Sequence, residues 1–474
     1  MPALAQRLNA AAALEHSADC AHNPRGMESL RSELRALWRL ALPVMVVQVG
    51  LMGMGVVDTM VAGHIPGTKG ALAAVALGAL YTFACLLVPF GILTALDPLI
   101  SQAFGARDDA AINAGLRRGL VLAVVLSVPA ALAMMPGAFM FTLLQQPESI
   151  IAPAAEFTLL SAWGTLPFLL FAVLRTTLQA THRVRAVVVA VIGANAINLA
   201  LNFVLVLGWG GFESRGVAGS ALATMISRWA MLALLLLFAW KELRPHLVQV
   251  WRISAADVRA MRGIVKLGLP IAGQFLLEWG AFGAAALLMG RMGPTEVEGH
   301  QVAVNLASFS FMFPLGVAIA ASVRVGNCVG AGDAAGARRA MNAAYVSGVG
   351  IMLFFAVCFL LLPDFLASIY TDKPASAALA ASLIPLAGVF QIFDGIQVVS
   401  ICVLRGVGDT RTPLIMNVVG FWLFGVPVGW LLAFNAGYGP QGLWWGLVLG
   451  LAAVALLLLG RTRRRLRGDL RRLC

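Results

Sequence analysis

Charge is what this 474-residue chain has least of: Asp, Glu, Lys and Arg make up 12% of it, against about 25% in soluble globular proteins. With 60% hydrophobic residues and a mean hydropathy of +0.86, that scarcity excludes a water-soluble fold. Cysteine is sparse and scattered. Cys20, Cys85, Cys328, Cys358, Cys402 and Cys474 form no CxxC pair and no spacing that suits a disulfide framework or a zinc site, so they read as small apolar filler. P-loop, HExxH and GxSxG motifs are absent, and the glycine-rich stretch from Val325 to Gly332 carries no Walker lysine. ATP hydrolysis and an embedded enzyme are thereby disfavoured, and no cofactor is expected.

Long apolar blocks are what remains. About 20 apolar residues span a hydrocarbon core roughly 30 Å thick, and twelve such blocks are read near residues 37–63, 71–103, 116–141, 152–180, 186–208, 216–240, 263–290, 299–325, 340–369, 376–404, 412–435 and 441–460. The polar segment 1–36 contains no apolar run with a small-residue cleavage site and is expected as a cytoplasmic extension. Lys and Arg alternate sharply between the two sides. One set of connections holds 28, the other only Lys69, Arg215, Arg291 and Lys373, and Arg175 and Arg228 lie within spans. The positive-inside rule therefore places both termini in the cytoplasm. The net charge of +12 reflects topology, and nucleic acid is not an expected partner.

The basic segment 241–262 divides the chain into lobes at 37–240 and 263–460, with a basic tail at 461–474. An offset of 225 to 227 places Leu40-Ala41-Leu42-Pro43 on Leu267-Gly268-Leu269-Pro270, Pro89-Phe90-Gly91 on Pro314-Leu315-Gly316, and Gly105 and Asp108 on Gly330 and Asp333. Leu178 and Arg185 fall likewise on Leu404 and Arg411. Such a register indicates duplication. Because each unit has an even number of spans, the halves are related by an axis along the membrane normal, with the substrate pathway expected between them.

Asp58, Glu278 and Asp394 sit inside apolar spans one, seven and ten. A charged residue there costs about 2.5–3.5 kcal/mol on insertion scales and marks function by default. Their repeat counterparts are Ala285, Leu51 and Phe168, so these acids specialise the lobes instead of serving the shared scaffold. Polar residues accompany them at helical spacing: Gln391, Asp394 and Gln397 on span ten, Gln274 one turn before Glu278, Asn195, Asn198 and Asn202 on span five, and Gln301, Asn305 and Ser308 on span eight. Low dielectric favours the neutral acid and a nearby cation the carboxylate, so a buried acid can exchange H⁺ or Na⁺ for a cationic substrate. Asp97 is expected to be reached by water near the end of span two. His300 is expected in a capping or interfacial role, and Trp430, Trp444 and Trp445 in an interfacial belt.

The segments Val56-Val57-Asp58-Thr59, Gln102-Ala103-Phe104-Gly105-Ala106, Gly299-His300-Gln301-Val302-Ala303-Val304-Asn305, Ser322-Val323-Arg324-Val325-Gly326, Gln391-Ile392-Phe393-Asp394-Gly395-Ile396-Gln397 and Leu404-Arg405-Gly406-Val407-Gly408-Asp409-Thr410, in this order, resemble the MATE (multidrug and toxic compound extrusion) transporters, particularly the NorM-like branch. The resemblance covers nearly residues 37 to 460. It implies an all-α membrane protein with two six-helix lobes facing a cleft, and multidrug efflux of cationic, lipophilic compounds against Na⁺ or H⁺ by alternating access. It further implies that Glu278 and Asp394, with Gln391 and Gln274 beside them, form a C-lobe cation site able to take Na⁺. Asp58 with Asn198, Asn202 and Asn195 would be the N-lobe counterpart, and Gln301, Asn305, Phe390 and Gln397 would face the substrate cleft. A monomer in a bacterial inner membrane is expected. Two departures stand out: Gln179-Ala180-Thr181-His182 replaces a Glu-Gly loop, and Phe390 stands where some members carry a Tyr that assists Na⁺ binding. A lipid-linked precursor flippase is the alternative, a passive channel a more distant one. The flippase would need a basic cleft, for which only Arg175 and Arg228 are available.

Overall fold

The computed structural model describes residues 26–65, 70–247, 254–468 and 470–473. The first 25 residues, Cys20 and Cys474, Lys69, and the middle of the inter-lobe linker lie outside them. Among the described residues the regular structure is all helical. Eleven helices are long and apolar enough to cross a membrane: α1 (Leu30–Ala62), α2 (Ala71–Gly105), α3 (Asp109–Met134), α5 (Arg185–Val206), α6 (Gly216–Phe238), α7 (Ala255–Gly290), α8 (Pro294–Gly330), α9 (Ala334–Leu361), α10 (Pro374–Gly406), α11 (Arg411–Asn435) and α12 (Gly439–Arg467). The twelfth span, α4, is a pair, Glu148–Ala162 and Thr165–Ala180, bent by 49°.

Helical backbone of α1 already begins at Gly26, well before the apolar block expected from residue 37. The reason is an ion pair. Glu33 is buried and accepts from Arg324 Nη2 of α8 at 2.7 Å, so the polar turns preceding the apolar block have a partner. At the start of α7, Asp257 closes a capping box with Ser254 and accepts from Arg117 (2.7 Å) and Arg118 (2.8 Å) of α3. The first helix of each half is thus tied to the other half. Both ties lie on the face where α1 begins and α12 ends, here termed the basic face.

The seam between the halves repeats the sequence offset in space. A Cβ on Gly105 would stand 2.0 Å from Asn327 O, and one on Gly330 only 1.9 Å from Gln102 O. Gly105 and Gly330 are repeat counterparts, and so are Gln102 and Asn327, which makes this an isologous contact inside one chain. Backbone touches backbone, which only glycine permits. Gly91 against Ala272 and Gly316 against Met45 repeat the pattern deeper in the bundle.

The turns after α2 and α8 superimpose just as closely. Asp108 N donates to Ala103 O (2.9 Å) and Asp333 N to Cys328 O (2.8 Å), while each Asp side chain caps the next helix. Their left-handed positions are Arg107 (φ 57°) and Gly332 (φ 74°). The turns after α4 and α10 match likewise, with His182 (φ 60°) opposite Gly408 (φ 80°). The N-lobe therefore keeps the left-handed backbone without the glycine, at about 1–2 kcal/mol per residue. Arg107 is exposed, so Arg107→Gly is expected to fold normally and raise thermal stability in detergent by up to about 1 kcal/mol; a fall would contradict this strain.

Candidate functional site

In the N-lobe, Asp58 is brought from α1 against α5 and α6 and is 6% exposed. Asn198 Nδ2 donates to Asp58 Oδ1 at 3.1 Å and Asn202 Nδ2 to the same oxygen at 2.8 Å. Thr224 Oγ1 of α6 donates to Asp58 Oδ2 in a short contact. Arg228, one turn beyond Thr224, acts electrostatically on the carboxylate and lies over the Phe168 ring, 5.2 Å from its centroid. Three protein donors thus replace part of the water that the buried Asp58 carboxylate has lost. Asn195 is not part of this cluster: its Nδ2 donates to Gly50 O (2.9 Å) and Val191 O (2.8 Å). It lines instead an apolar cavity of about 1050 Å³ between α1, α5, α8 and α9, with Ser347 as the other polar wall residue.

Nothing in the sequence pairs Thr224 with Asp58, because the contact forms only where α6 packs beside α1. Its one available signal is a polar stripe, Ser220, Thr224, Ser227 and Arg228, on an otherwise apolar helix. Thr224→Val removes one of three donors to a buried carboxylate and is expected to cost about 1–3 kcal/mol, measured as a lower unfolding midpoint in detergent. Thr224→Ser should restore it.

The C-lobe acids are arranged differently. Asp394 is 6% exposed, Glu278 is partly buried, and Glu278 acts electrostatically on Asp394. Among the described residues, none donates a hydrogen bond to either. Their expected companions are largely engaged elsewhere. Gln391 donates to Ala307 O at 3.2 Å and, in a short contact, to Ser310 Oγ, tying α10 to α8. Gln274 is 2% exposed, one turn from Glu278. Gln397 is buried with both amide atoms unpartnered. Phe390 packs edge-on against Phe282 and Trp444 at 5.8 and 6.2 Å. Gln301 donates to Asn305 at 3.4 Å on an exposed face.

Three expectations are corrected. Asp97 is not in water: its side chain is 12% exposed and faces Arg405 Nη1 of α10 at 3.9 Å, with Arg175 as a second cation. His300 and Trp444 are not interfacial. They are 2% and 0% exposed and pack edge to face at 5.8 Å, because α8 and α12 both press on α10 there. Trp430 and Trp445 remain exposed, at 43% and 40%. Arg405, counted among loop cations by its place after an apolar block, is buried inside the last turn of α10.

The sequence profile described as MatE matches residues 43–204 and again 270–431. The chain belongs to the MatE family. The two matches start 227 residues apart, the spacing of the internal repeat. A "Probable multidrug resistance protein NorM" of Mesorhizobium japonicum is 38% identical over 451 residues, covering 93% of this chain and 96% of the relative. The "Multidrug resistance protein NorM" of Burkholderia vietnamiensis is 36% identical over 430 residues, 89% and 92% of the two chains. In three dimensions this MatE chain is similar to a eukaryotic MATE transporter crystal structure (TM-score 0.83, 23% identity, 92% of this chain and 99% of that one). It is also similar to an outward-facing multidrug resistance MATE transporter (TM-score 0.82, 19% identity, 94% and 99%). These likenesses establish the fold of a multi-pass MatE transporter.

Proposed function

We propose that this MatE protein is a secondary active multidrug exporter of the bacterial inner membrane. It expels small lipophilic cations in exchange for H⁺ or Na⁺ by alternating access, with no ATP involved. The contrast between the lobes carries this reading. Asp58 has three donors, whereas Glu278 and Asp394, the first acting electrostatically on the second, have none among the described residues. Two neighbouring carboxylates without donors repel when both are ionised, and a proton or a hard cation between them removes the repulsion. That pair is the coupling site; Asp58 is the structural or substrate-facing acid of the other lobe.

The seam along the basic face supports one of the two access states. By the positive-inside rule that face is cytoplasmic, so its closure corresponds to a cleft open outward. The membrane potential supplies about 2.3 kcal/mol per elementary charge per 100 mV, plus the ion gradient. The flippase alternative is weakened because the buried cations already face acids: Arg228 faces Asp58, while Arg175 and Arg405 face Asp97.

Dye accumulation by inverted vesicles under an imposed Na⁺ or H⁺ gradient tests the reading. Uphill accumulation that collapses with one of the gradients is expected. Accumulation that never exceeds equilibrium would mean a passive pore and overturn it.

A further inference from the structure

The turn after α10 lacks a side chain that its repeat counterpart has. After α4 the left-handed position is His182, and its Nε2 lies 2.7 Å from the side-chain amide of Asn327, on α8 of the other lobe. The same position after α10 is Gly408, and the counterpart of Asn327 is Gln102 on α2. By symmetry Gln102 would face a histidine there. It faces bare backbone, and its Nε2 donates to Gly406 O at 2.9 Å. Gln102 is 1% exposed, so its side-chain oxygen needs a partner from the protein in place of the missing ring.

The segment after α12 supplies it. Leu473 N donates to Gln102 Oε1 at 2.9 Å. The Leu473 side chain fills the space over the turn, since a Cβ on Gly408 would stand 2.6 Å from Leu473 Cδ2. One residue earlier, Arg472 Nη2 meets Asp108 Oδ2 at 2.9 Å. The segment is rooted in the C-lobe, because Arg461 of α12 pairs with Asp409 at 2.9 Å and Arg338 of α9 donates to Leu466 O at 3.2 Å. Its far contacts, Gln102 and Asp108, belong to the N-lobe. One hydrogen bond, a partly exposed ion pair and a leucine that is 39% exposed make a modest attachment, which the chain can form and release.

We propose that Leu470–Leu473 is a strap whose docking site, Gln102 and Asp108 with the Gly406–Gly408 turn, is complete only while the basic-face seam is closed. The ligand of this site is a cationic residue followed by a leucine, supplied by the chain itself. This rests on the alternating-access reading above, and not on which ion drives it. Parting the lobes moves Gln102 and Asp108 away from Gly408, so the strap keeps at most one half of its site. Docking and closure are therefore linked: docking favours the closed seam, and release favours the state open on the basic face. Because each contact is modest, the strap biases that balance without blocking either state.

The test uses the full chain in lipid nanodiscs, in a cysteine-free background with spin labels at Arg185→Cys and Ala335→Cys, exposed positions on the basic face of opposite lobes. A second pair, Arg185→Cys with Arg471→Cys, follows the strap itself. Leu473→Asp and Arg472→Glu are expected to lower the ratio of closed to open seam by about fivefold, the lower end of usual coupling between sites, while Leu473→Ile keeps it. The strap distance should be narrow in the unaltered protein and broad in the first two variants. Gly408→His supplies from the turn the side chain that His182 supplies in the other half, and is expected to restore closure to the Leu473→Asp protein. An unchanged seam ratio in both Leu473→Asp and Arg472→Glu, or a strap distance that stays narrow while the seam opens, overturns the proposal. Uphill dye transport by the unsubstituted protein is scored separately, so that failure of alternating access is distinguished from failure of the strap.

Discussion

Asp394→Asn and Glu278→Gln are each expected to cut gradient-driven export sharply while leaving the protein folded. Each substitution keeps the side-chain shape and removes one member of a pair to which, among the described residues, nothing donates a hydrogen bond. One carboxylate then remains, and loading a cation no longer relieves repulsion between two. Coupling free energies of about 1–3 kcal/mol correspond to about 5–150-fold, so a fall of coupled efflux by about 10–100-fold is the expected range. Thermal unfolding should be unchanged or improved, because one of two buried acids has become a neutral amide. The measurement is dye export from proteoliposomes under an ion gradient beside a melting curve in detergent. Full coupling in either variant would leave the acid pair without a role.

Gly330→Leu and Gly105→Leu are expected to produce one shared phenotype, because the two glycines are counterparts in a contact that repeats itself. A Cβ at Gly330 meets Gln102 O at 1.9 Å and one at Gly105 meets Asn327 O at 2.0 Å, and the obstacle in both cases is backbone. Ordinary overpacking costs about 1–3 kcal/mol; here the cheaper escape is to part the lobes. Both variants should therefore lose export completely while each lobe stays folded, and the basic face should become accessible to a membrane-impermeant thiol reagent at Cys328, which lies beside the seam and is buried at 3%. Gly283, with nothing within 4 Å of its would-be Cβ, supplies the control: Gly283→Ala should export normally. If Gly105→Leu and Gly330→Leu differed strongly from each other, the symmetry of the seam would have no functional meaning.

Helix α10 illustrates how far one-dimensional reading reaches. Its apolar length, the intramembrane Asp394 and the three-residue spacing of Gln391 and Gln397 are all visible in the chain. Spacing assigns residues to a face but says nothing of what stands opposite. Gln391 turned out to bind α8, and Gln397 found no partner. Arg405 was hidden by the same blindness, since a cation following an apolar block has the pattern of a loop charge until an acid of another helix faces it. On α5 the stripe of Asn195, Asn198 and Asn202 divides in the same way, two turning to Asp58 and one to the backbone of α1.

By itself the sequence determined the membrane class, the twelve apolar spans, the duplicated halves and the three acids within them, because hydrocarbon imposes length and polarity rules that act along a single chain. Tertiary structure alone decided which acid is satisfied and which two have no donor among the described residues, and that Asp97 and Arg405 meet across the seam. Those outcomes depend on distances of a few ångström between helices far apart in the chain, where a hydrogen bond or its absence changes the cost of a buried charge by kilocalories.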